Sequence, residues 1–173
     1  VSNSGVVATD TTGVGTARYD LAATGYGTDK AIFGYGTTGS AVSLTNLVSS
    51  SGVVATDTTG VGSARTVLAA AGYGSTGQAI FAYGYTGSYV SISNLVSNTG
   101  VVGSDVSGVG TAREGLAATR YGGDKAIFAY GHDGSNYNSM SNLVSNSGVI
   151  ASDVSGVGTA RNAIEAAGYS TSA

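Results

Sequence analysis

The sequence of 173 residues contains no proline, no tryptophan and no cysteine, and it has a single methionine and a single histidine. At ordinary usage of about 5%, a chain of this length would carry roughly eight prolines, so the composition indicates a biased, repetitive sequence. Without cysteine there is no disulfide framework, no thiolate nucleophile and no cysteine-based metal site. Cysteine usage therefore leaves the redox compartment open.

Charged residues are also scarce, at 10% of the chain against about 25% in typical domains. Hydrophobic residues make up 42%, so the composition predicts a folded chain rather than a disordered one. The seven Lys and Arg residues and the net charge of −3 disfavour binding to nucleic acid or to an anionic membrane. No apolar run approaches the roughly 20 residues of a membrane span, so we expect no membrane insertion.

A repeat of about 48 residues accounts for most of the chain. The blocks A-I-F-[GA]-Y-G and N-L-V-S each occur three times. A third block, G-V-G-[TS]-A-R, occurs four times at intervals of 47, 48 and 48 residues and ends at Arg18, Arg65, Arg113 and Arg161. We interpret residues 1–173 as a single repeat array with units at about 5–51, 52–99 and 100–147 and a partial unit at 148–173. Because the array begins and ends within a unit, we expect a chain processed or cut from a longer one.

Each unit contains four short apolar segments separated by Gly, Ser, Thr and Asn, which is typical of all-β folds. After Arg18 these are residues 19–25, 30–35, 42–48 and 53–56. Glycine-containing turns are predicted to pair the first segment with the second and the third with the fourth. A β-β-β-α repeat is the alternative, because the segment around Arg18 has an N-cap Thr, good helix formers and a C-terminal Gly.

The pattern A-R-x-x-x-A-A-x-x-Y-G-x-D-K-A-I-F-x-Y-G-x-x-G-S, at residues 112–135, resembles the blade pattern of kelch repeats. The family's double glycine is Tyr-Gly here, and the tryptophan usual near its fourth strand is absent. Arrays of D-K-A-I-F-G-Y-G are also similar to repeat proteins encoded by tailed phages and marine viral genomes. The resemblance implies four-stranded β-propeller blades in a virion structural protein, such as a tail fibre or receptor-binding part, or in an extracellular assembly.

The propeller expectation makes two further predictions. Side-chain alternation in Ala-Ile-Phe-Gly-Tyr places Ile32 on one face and Phe33 with Tyr35 on the other, so the aromatic residues pack blade against blade. Closed propellers have about 4–8 blades, which exceeds the units present. We therefore expect protein partners, either copies of this chain in a homo-oligomer or other assembly subunits, unless the units belong to a longer repeat chain.

The four repeated arginines have two interpretations. They could form a ring that binds an anion, or each could bond the carbonyl groups or a carboxylate of a neighbouring unit. We favour the structural role, because a residue present in every unit serves what every unit shares. The candidate partners, which are also expected to cap turns, are Asp10, Asp57, Asp105 and Asp153.

Catalytic signals are weak. His132 is not accompanied by a G-x-S-x-G serine motif. We interpret Glu114 and Glu165 as surface residues without a catalytic role. We therefore predict no enzyme, no cofactor and no metal site, with an enzyme domain on a propeller scaffold as an alternative.

The loop after each Y-G pair varies between units, whereas the segments around it do not. Tyrosine with Asn, Asp and Ser is typical of adaptable recognition surfaces, including those that bind sugars. Neutral drift on an exposed loop is the competing explanation. A surface glycan, and with it a carbohydrate-binding lectin module, is the alternative function, and the candidate ligand-binding residues are Tyr85, Tyr89, His132, Asp133, Asn136 and Tyr137.

Overall fold

The structure is a computed structural model that describes residues 4–168, so the ends of the predicted array, 1–3 and 169–173, lie outside the described residues. The described part contains no helix, and its strands form three antiparallel three-stranded sheets, each in chain order. The all-β prediction is confirmed and the β-β-β-α alternative is wrong. The strands are β1 (Ala22–Tyr26), β2 (Lys30–Gly34), β3 (Thr45–Val48), β4 (Ala69–Tyr73), β5 (Gln78–Ala82), β6 (Ser93–Val96), β7 (Ala117–Tyr121), β8 (Lys125–Ala129) and β9 (Ser141–Val144).

Each sheet begins with a hairpin whose turn chemistry is visible in the sequence. In the first sheet Tyr26 at the end of β1 pairs with Lys30 at the start of β2. Between them, Gly27 and Thr28 have φ values of 58° and 72°, in the left-handed region. Glycine adopts that region without steric cost, which explains why a Tyr-Gly pair recurs at the end of β1, β4 and β7.

A fourth segment lies beside the third strand of each sheet without becoming a regular strand. In the first sheet the Thr58 N–H donates to the Thr45 carbonyl, and the Ala55 N–H to the Leu47 carbonyl, both at 2.8 Å. Gly52, with a φ of 79°, lies in the intervening turn. The predicted pairing of the third and fourth segments is confirmed, although it consists of isolated bridges rather than a continuous ladder.

These contacts define three modules, each made of one sheet, the linker before it and the segment after it. The linker is bound to an aspartate of that last segment, so both ends of a module lie together. We call residues 16–58 the first module, 63–106 the second and 111–154 the third.

Aromatic residues of the second strands pack between modules, as predicted. Tyr35 of the first module contacts Phe81 of the second at a ring-centroid distance of 5.2 Å, and Tyr83 contacts Phe128 of the third at 5.5 Å. Phe81 and Phe128 therefore face the preceding module, and Tyr35 and Tyr83 face the following one. The prediction that Phe33 and Tyr35 share a face is wrong.

The backbone at the tyrosine explains this correction. Tyr35, Tyr83 and Tyr130 have φ values of 64°, 64° and 65°, and a glycine with positive φ follows each. Side chains alternate only along an extended backbone, so this left-handed residue turns the ring towards the face that carries the isoleucine. Ile32 and Tyr35 accordingly belong to one buried cluster with Leu68 of the second module.

The modules are also joined by a chain of backbone hydrogen bonds before their first strands. Val67 N–H donates to the Asp20 carbonyl at 3.0 Å, Gly115 N–H to Val67 at 3.0 Å, and Ala163 N–H to Gly115 at 2.9 Å. Nearby, β1, β4, β7 and residues 166–168 all line one cavity of about 390 Å³. The first strands of successive modules therefore converge on a shared space.

Candidate functional site

Two variable loops meet at the boundary between the second and third modules. Bridges close each loop, pairing Tyr85 with Tyr89 and His132 with Tyr137. Ring centroids are 5.3 Å apart for Tyr85 and Tyr89, 5.8 Å for Tyr89 and His132, and 5.4 Å for His132 and Tyr137. We call these four residues the aromatic row. The structure thus brings together four of the six side chains predicted to bind a ligand.

His132 links the two loops through its side chain. The Gly134 N–H donates to His132 Nδ1 at 3.2 Å, and the Tyr89 hydroxyl oxygen lies 3.4 Å from the same nitrogen. A nitrogen that accepts a backbone N–H carries no proton, so the proton of the neutral ring is on Nε2. A Cβ at Gly134 would lie 2.6 Å from Cε2 of Tyr89, so glycine allows the tyrosine ring to lie against the loop.

The other two predicted residues, Asp133 and Asn136, shape the loop of the third module. Asp133 Oδ1 accepts the backbone N–H groups of Asn136 at 2.8 Å and Ser135 at 2.9 Å, and its Oδ2 accepts Asn138 Nδ2 at 3.1 Å. The N–H groups of Asn136 and Ser135 lower the pKa of the Asp133 carboxyl. Asn138, which the sequence analysis did not select, is buried and closes this network.

Glu114 also lies beside the aromatic row, although the sequence analysis gave it no part in binding. Its backbone exchanges two hydrogen bonds with His132, both at 2.9 Å. Burial raises the pKa of the Glu114 carboxyl; His132 opposes this rise and Asp20 adds to it. Burial likewise raises the pKa of Tyr89, with the charge of Glu114 as the next cause. The row therefore lies in a negative electrostatic environment.

A sequence signal for Glu114 was present. The residue after the repeated arginine is Tyr19 in the first module, Thr66 in the second and Glu114 in the third. In every module this residue pairs with the first residue of the variable loop. The variable position next to the invariant arginine thus belongs to the same surface as the variable loops.

Two of the four repeated arginines, Arg65 and Arg113, lie between modules. Arg65 and Arg113 are completely buried, and the guanidinium carbon of each lies over a tyrosine ring of the preceding module, 4.3 Å from Tyr35 and 4.4 Å from Tyr83. Arg113 also donates from Nη2 to Asn142 Oδ1 at 2.6 Å. These contacts support the structural interpretation of the arginines over the anion-binding one.

Three of the four predicted aspartates, Asp57, Asp105 and Asp153, cap the linkers rather than their own turns. Asp57 Oδ2 accepts the Thr16 N–H at 2.9 Å and its hydroxyl at 2.6 Å, and Asp57 Oδ1 accepts Asn46 Nδ2 at 2.9 Å. Arg18 Nη1 lies 3.6 Å from Asp57 Oδ1. The second and third modules repeat the hydroxyl and amide contacts at Asp105 and Asp153.

Within residues 4–168, no group of three or more His, Asp or Glu side chains could hold a metal ion. Among the same residues, no helix is long and apolar enough to cross a membrane. No family model and no curated protein matches the chain. The function proposed below therefore rests on the contacts of the chain itself.

Proposed function

We propose that the chain is a non-enzymatic repeat scaffold of kelch-like β-propeller blades, serving as a structural or receptor-facing part of a virion, a phage tail or an extracellular assembly. The fourth segment beside each sheet and the convergence of the first strands support blades around an axis. The Tyr-Gly pairs add support, because two successive left-handed residues are what the double glycine of the kelch pattern would supply.

The observation that carries the proposal is the unequal burial of three equivalent phenylalanines. Phe81 and Phe128 have no exposed surface, because Tyr35 and Tyr83 of the preceding modules cover them. Phe33 is 37% exposed, beside a cavity of about 530 Å³. An apolar face of this kind favours association. The first module thus exposes the face around Phe33. In the second and third modules the equivalent face is covered by a tyrosine of the preceding module.

Arg18 belongs to the same face. The side chain of Arg18 is only 4% exposed. Arg65 and Arg113 each stack on a tyrosine ring, whereas within residues 4–168 no tyrosine ring lies over Arg18. A tyrosine supplied from outside would complete the ring contact of Phe33, and one whose ring carries no arginine of its own chain would also complete the cation–π contact of Arg18.

The third module carries a matching tyrosine. Tyr130 has the guanidinium of Arg161 at 4.4 Å, and no phenylalanine ring of the described residues contacts it. A cavity of about 350 Å³ lies beside it, lined in part by Ile127 and Ile164. Contact between Phe33 of one copy and Tyr130 of the next is heterologous, and such contacts generate rings or filaments. The proposed protein partner is therefore a second copy or a related assembly subunit.

Light scattering of the purified chain tests this proposal. We expect a mass above the 16.8 kDa of one chain, and a return to that mass for Phe33→Ser. Val101→Ser is the control, because Val101 is 66% exposed in the second module, away from both end faces. Circular dichroism checks that both variants fold. A wild-type mass of one chain at every concentration contradicts the proposal.

The non-enzymatic part of the proposal has its own test. We expect no turnover of esters or glycosides by the wild-type chain beyond that of His132→Ala, which removes the sole histidine. A turnover that disappears with this substitution would establish an enzyme.

The aromatic row favours a second candidate function, a carbohydrate-binding lectin module. Four rings from two loops lie in sequence across a module boundary, and Tyr137 is 62% exposed. Exposed tyrosines on short loops provide flat apolar faces at low entropic cost. Binding on a glycan array that is lost in Tyr89→Ala and Tyr137→Ala would support this function. An array without any binding contradicts it.

A further inference from the structure

The charge around the aromatic row restricts its ligand. Burial is the largest cause that raises the pKa of Tyr89, and the carboxylates of Glu114 and Asp133 raise it further. No Lys or Arg contributes to the pKa shifts of Tyr89, Glu114 and Asp133. Asp20 adds a further negative charge close to Glu114. The row therefore combines aromatic rings with an excess of negative charge.

All seven cationic side chains are engaged elsewhere. Arg18, Arg65 and Arg113 are buried in the linker networks, and Arg161 stacks on Tyr130. The three others lie at the hairpins between first and second strands. There Lys30 lies near Asp29, Lys125 pairs with Asp124, and Arg120 donates to the Gly74 carbonyl.

The carboxylates differ in their capacity to bind a ligand. Asp133 is occupied by its own loop, since three N–H donors reach its two oxygens. Glu114 makes only backbone hydrogen bonds to His132 in the described structure, so its carboxylate is available as an acceptor. A single carboxylate beside half-buried and exposed rings suits a donor-rich ligand with apolar faces.

The arrangement of the rings distinguishes two such ligands. A cage for an ammonium group needs ring faces that converge on one point. Here each ring contacts the next in turn, with interplanar angles of 69°, 66° and 58°, so the rings form a row instead of a cage. A row of rings suits a ligand with several apolar faces joined in sequence, as in an oligosaccharide.

We propose that the aromatic row binds an uncharged oligosaccharide, with sugar faces against the tyrosines and a sugar hydroxyl donating to Glu114, and that it rejects acidic glycans. This inference rests on the lectin function proposed above. Acidic glycans carry carboxylates or sulfates, which Glu114, Asp133 and Asp20 repel, and no Lys or Arg lies at the row to offset this repulsion.

A glycan array with three matched groups tests the proposal: neutral oligosaccharides, their sialylated or sulfated derivatives, and amino-sugar oligomers with their N-acetylated forms. We expect binding to neutral and N-acetylated chains only. Tighter binding to acidic members overturns the charge inference, and tighter binding to free amino sugars than to their acetylated forms overturns the assignment of an uncharged ligand. Either result leaves the lectin function standing. Binding to no glycan overturns both the charge inference and the lectin function.

Substitutions assign the binding to the row. Tyr137→Ala should abolish it, whereas Tyr19→Ala, which removes a tyrosine of equal exposure in the first module, should not. Glu114→Gln should weaken neutral binding about tenfold, because a charge-assisted hydrogen bond becomes a neutral one, and should raise the signal from acidic glycans. Unchanged binding in Tyr137→Ala, or an unchanged acidic signal in Glu114→Gln, overturns the assignment.

Discussion

The guanidinium of Arg113 lies 4.4 Å from the centre of the Tyr83 ring, with the arginine in the linker of one module and the tyrosine directly after the second strand of the module before it. Both side chains are completely buried. Phe128 contacts the same ring at 5.5 Å, and the Tyr83 hydroxyl donates to the Val109 carbonyl at 3.3 Å. Tyr83 thus contacts an arginine, a phenylalanine and a carbonyl group that all lie later in the sequence.

Removing this ring should destabilise the whole array. We expect Tyr83→Ala to lower the free energy of unfolding by about 3–5 kcal/mol, because it leaves a cavity and an unstacked guanidinium. Tyr83→Phe keeps the ring and loses one hydrogen bond, so it should cost about 0.5–1.5 kcal/mol. Urea titrations followed by circular dichroism give both values. A loss in Tyr83→Ala no larger than in Tyr83→Phe would show that the ring contacts contribute little.

Acid should destabilise the linker networks. The pKa of Asp105 is lowered, because hydrogen bonds from Ser63 and Asn94 together outweigh the opposing effect of burial. The unfolded chain, with the ordinary pKa of 3.8, then binds more protons than the folded one between the two pKa values. Stability contributed by Asp105 is therefore present above pH 3.8 and lost as the pH falls through the folded pKa.

The substitution Asp105→Asn should reduce stability at neutral pH and flatten the decline in stability as the pH falls below 3.8. Ser63→Ala keeps the carboxylate but removes the hydroxyl donor at 2.6 Å. It should therefore raise the pKa of Asp105 in the folded chain and narrow the pH range over which stability is lost. Urea midpoints measured across this pH range test both. An acid decline of wild-type size in Asp105→Asn would exclude this carboxylate as a source.

Backbone strain can be relieved at one position. Val67 has a φ of 53°, a conformation that β-branched residues rarely adopt, whereas the third module has Gly115 at the equivalent place. Such strain costs about 1–3 kcal/mol, so Val67→Gly should raise the free energy of unfolding by about 1 kcal/mol after the entropic cost of glycine. Gly115→Val should do the opposite, since its Cβ would collide with the side chain of Asn162. Equal effects of both changes on the urea midpoint would contradict this account.

The aromatic row should depend on Gly134. Gly134→Ala places a methyl group 2.6 Å from the Tyr89 ring, and we expect it to displace Tyr89 from His132. Gly87→Ala is a matched control, because Gly87 has a similar φ of 106° but nothing within 4 Å of its Cβ position. Nuclear Overhauser contacts between Tyr89 and His132 should be lost in the first variant and kept in the second. Their persistence in Gly134→Ala would show that the loop adapts.

Local chemistry was sufficient to predict the three strands of each sheet, whereas the fourth predicted strand forms only isolated bridges. Alternating apolar residues and left-handed glycines such as Gly27 and Gly52 mark the hairpins, and the repeat shows that each hairpin recurs. The helix alternative failed because isolated short helices are marginal, and the Ala-rich segment gains more by pairing with β2.

The face of the sheet on which Tyr35 lies could not be predicted from side-chain alternation, because Tyr35 itself has a left-handed backbone that interrupts the alternation. The bond from Thr16 to Asp57 spans 41 residues, and no local rule gives such a pairing. For the site, loop variability identified the residues of the aromatic row. The contact between Tyr89 and His132 depends on how two modules pack and was visible only in the structure.

The most direct test of the central claim, that the face around Phe33 receives a tyrosine-bearing sheet, is photo-cross-linking with benzoylphenylalanine at position 33. The account predicts cross-linked dimers whose mass spectra join position 33 to the peptide containing Tyr130 of a second copy. The same probe at position 101 should give none. Cross-links from position 33 that remain within one chain would contradict the claim.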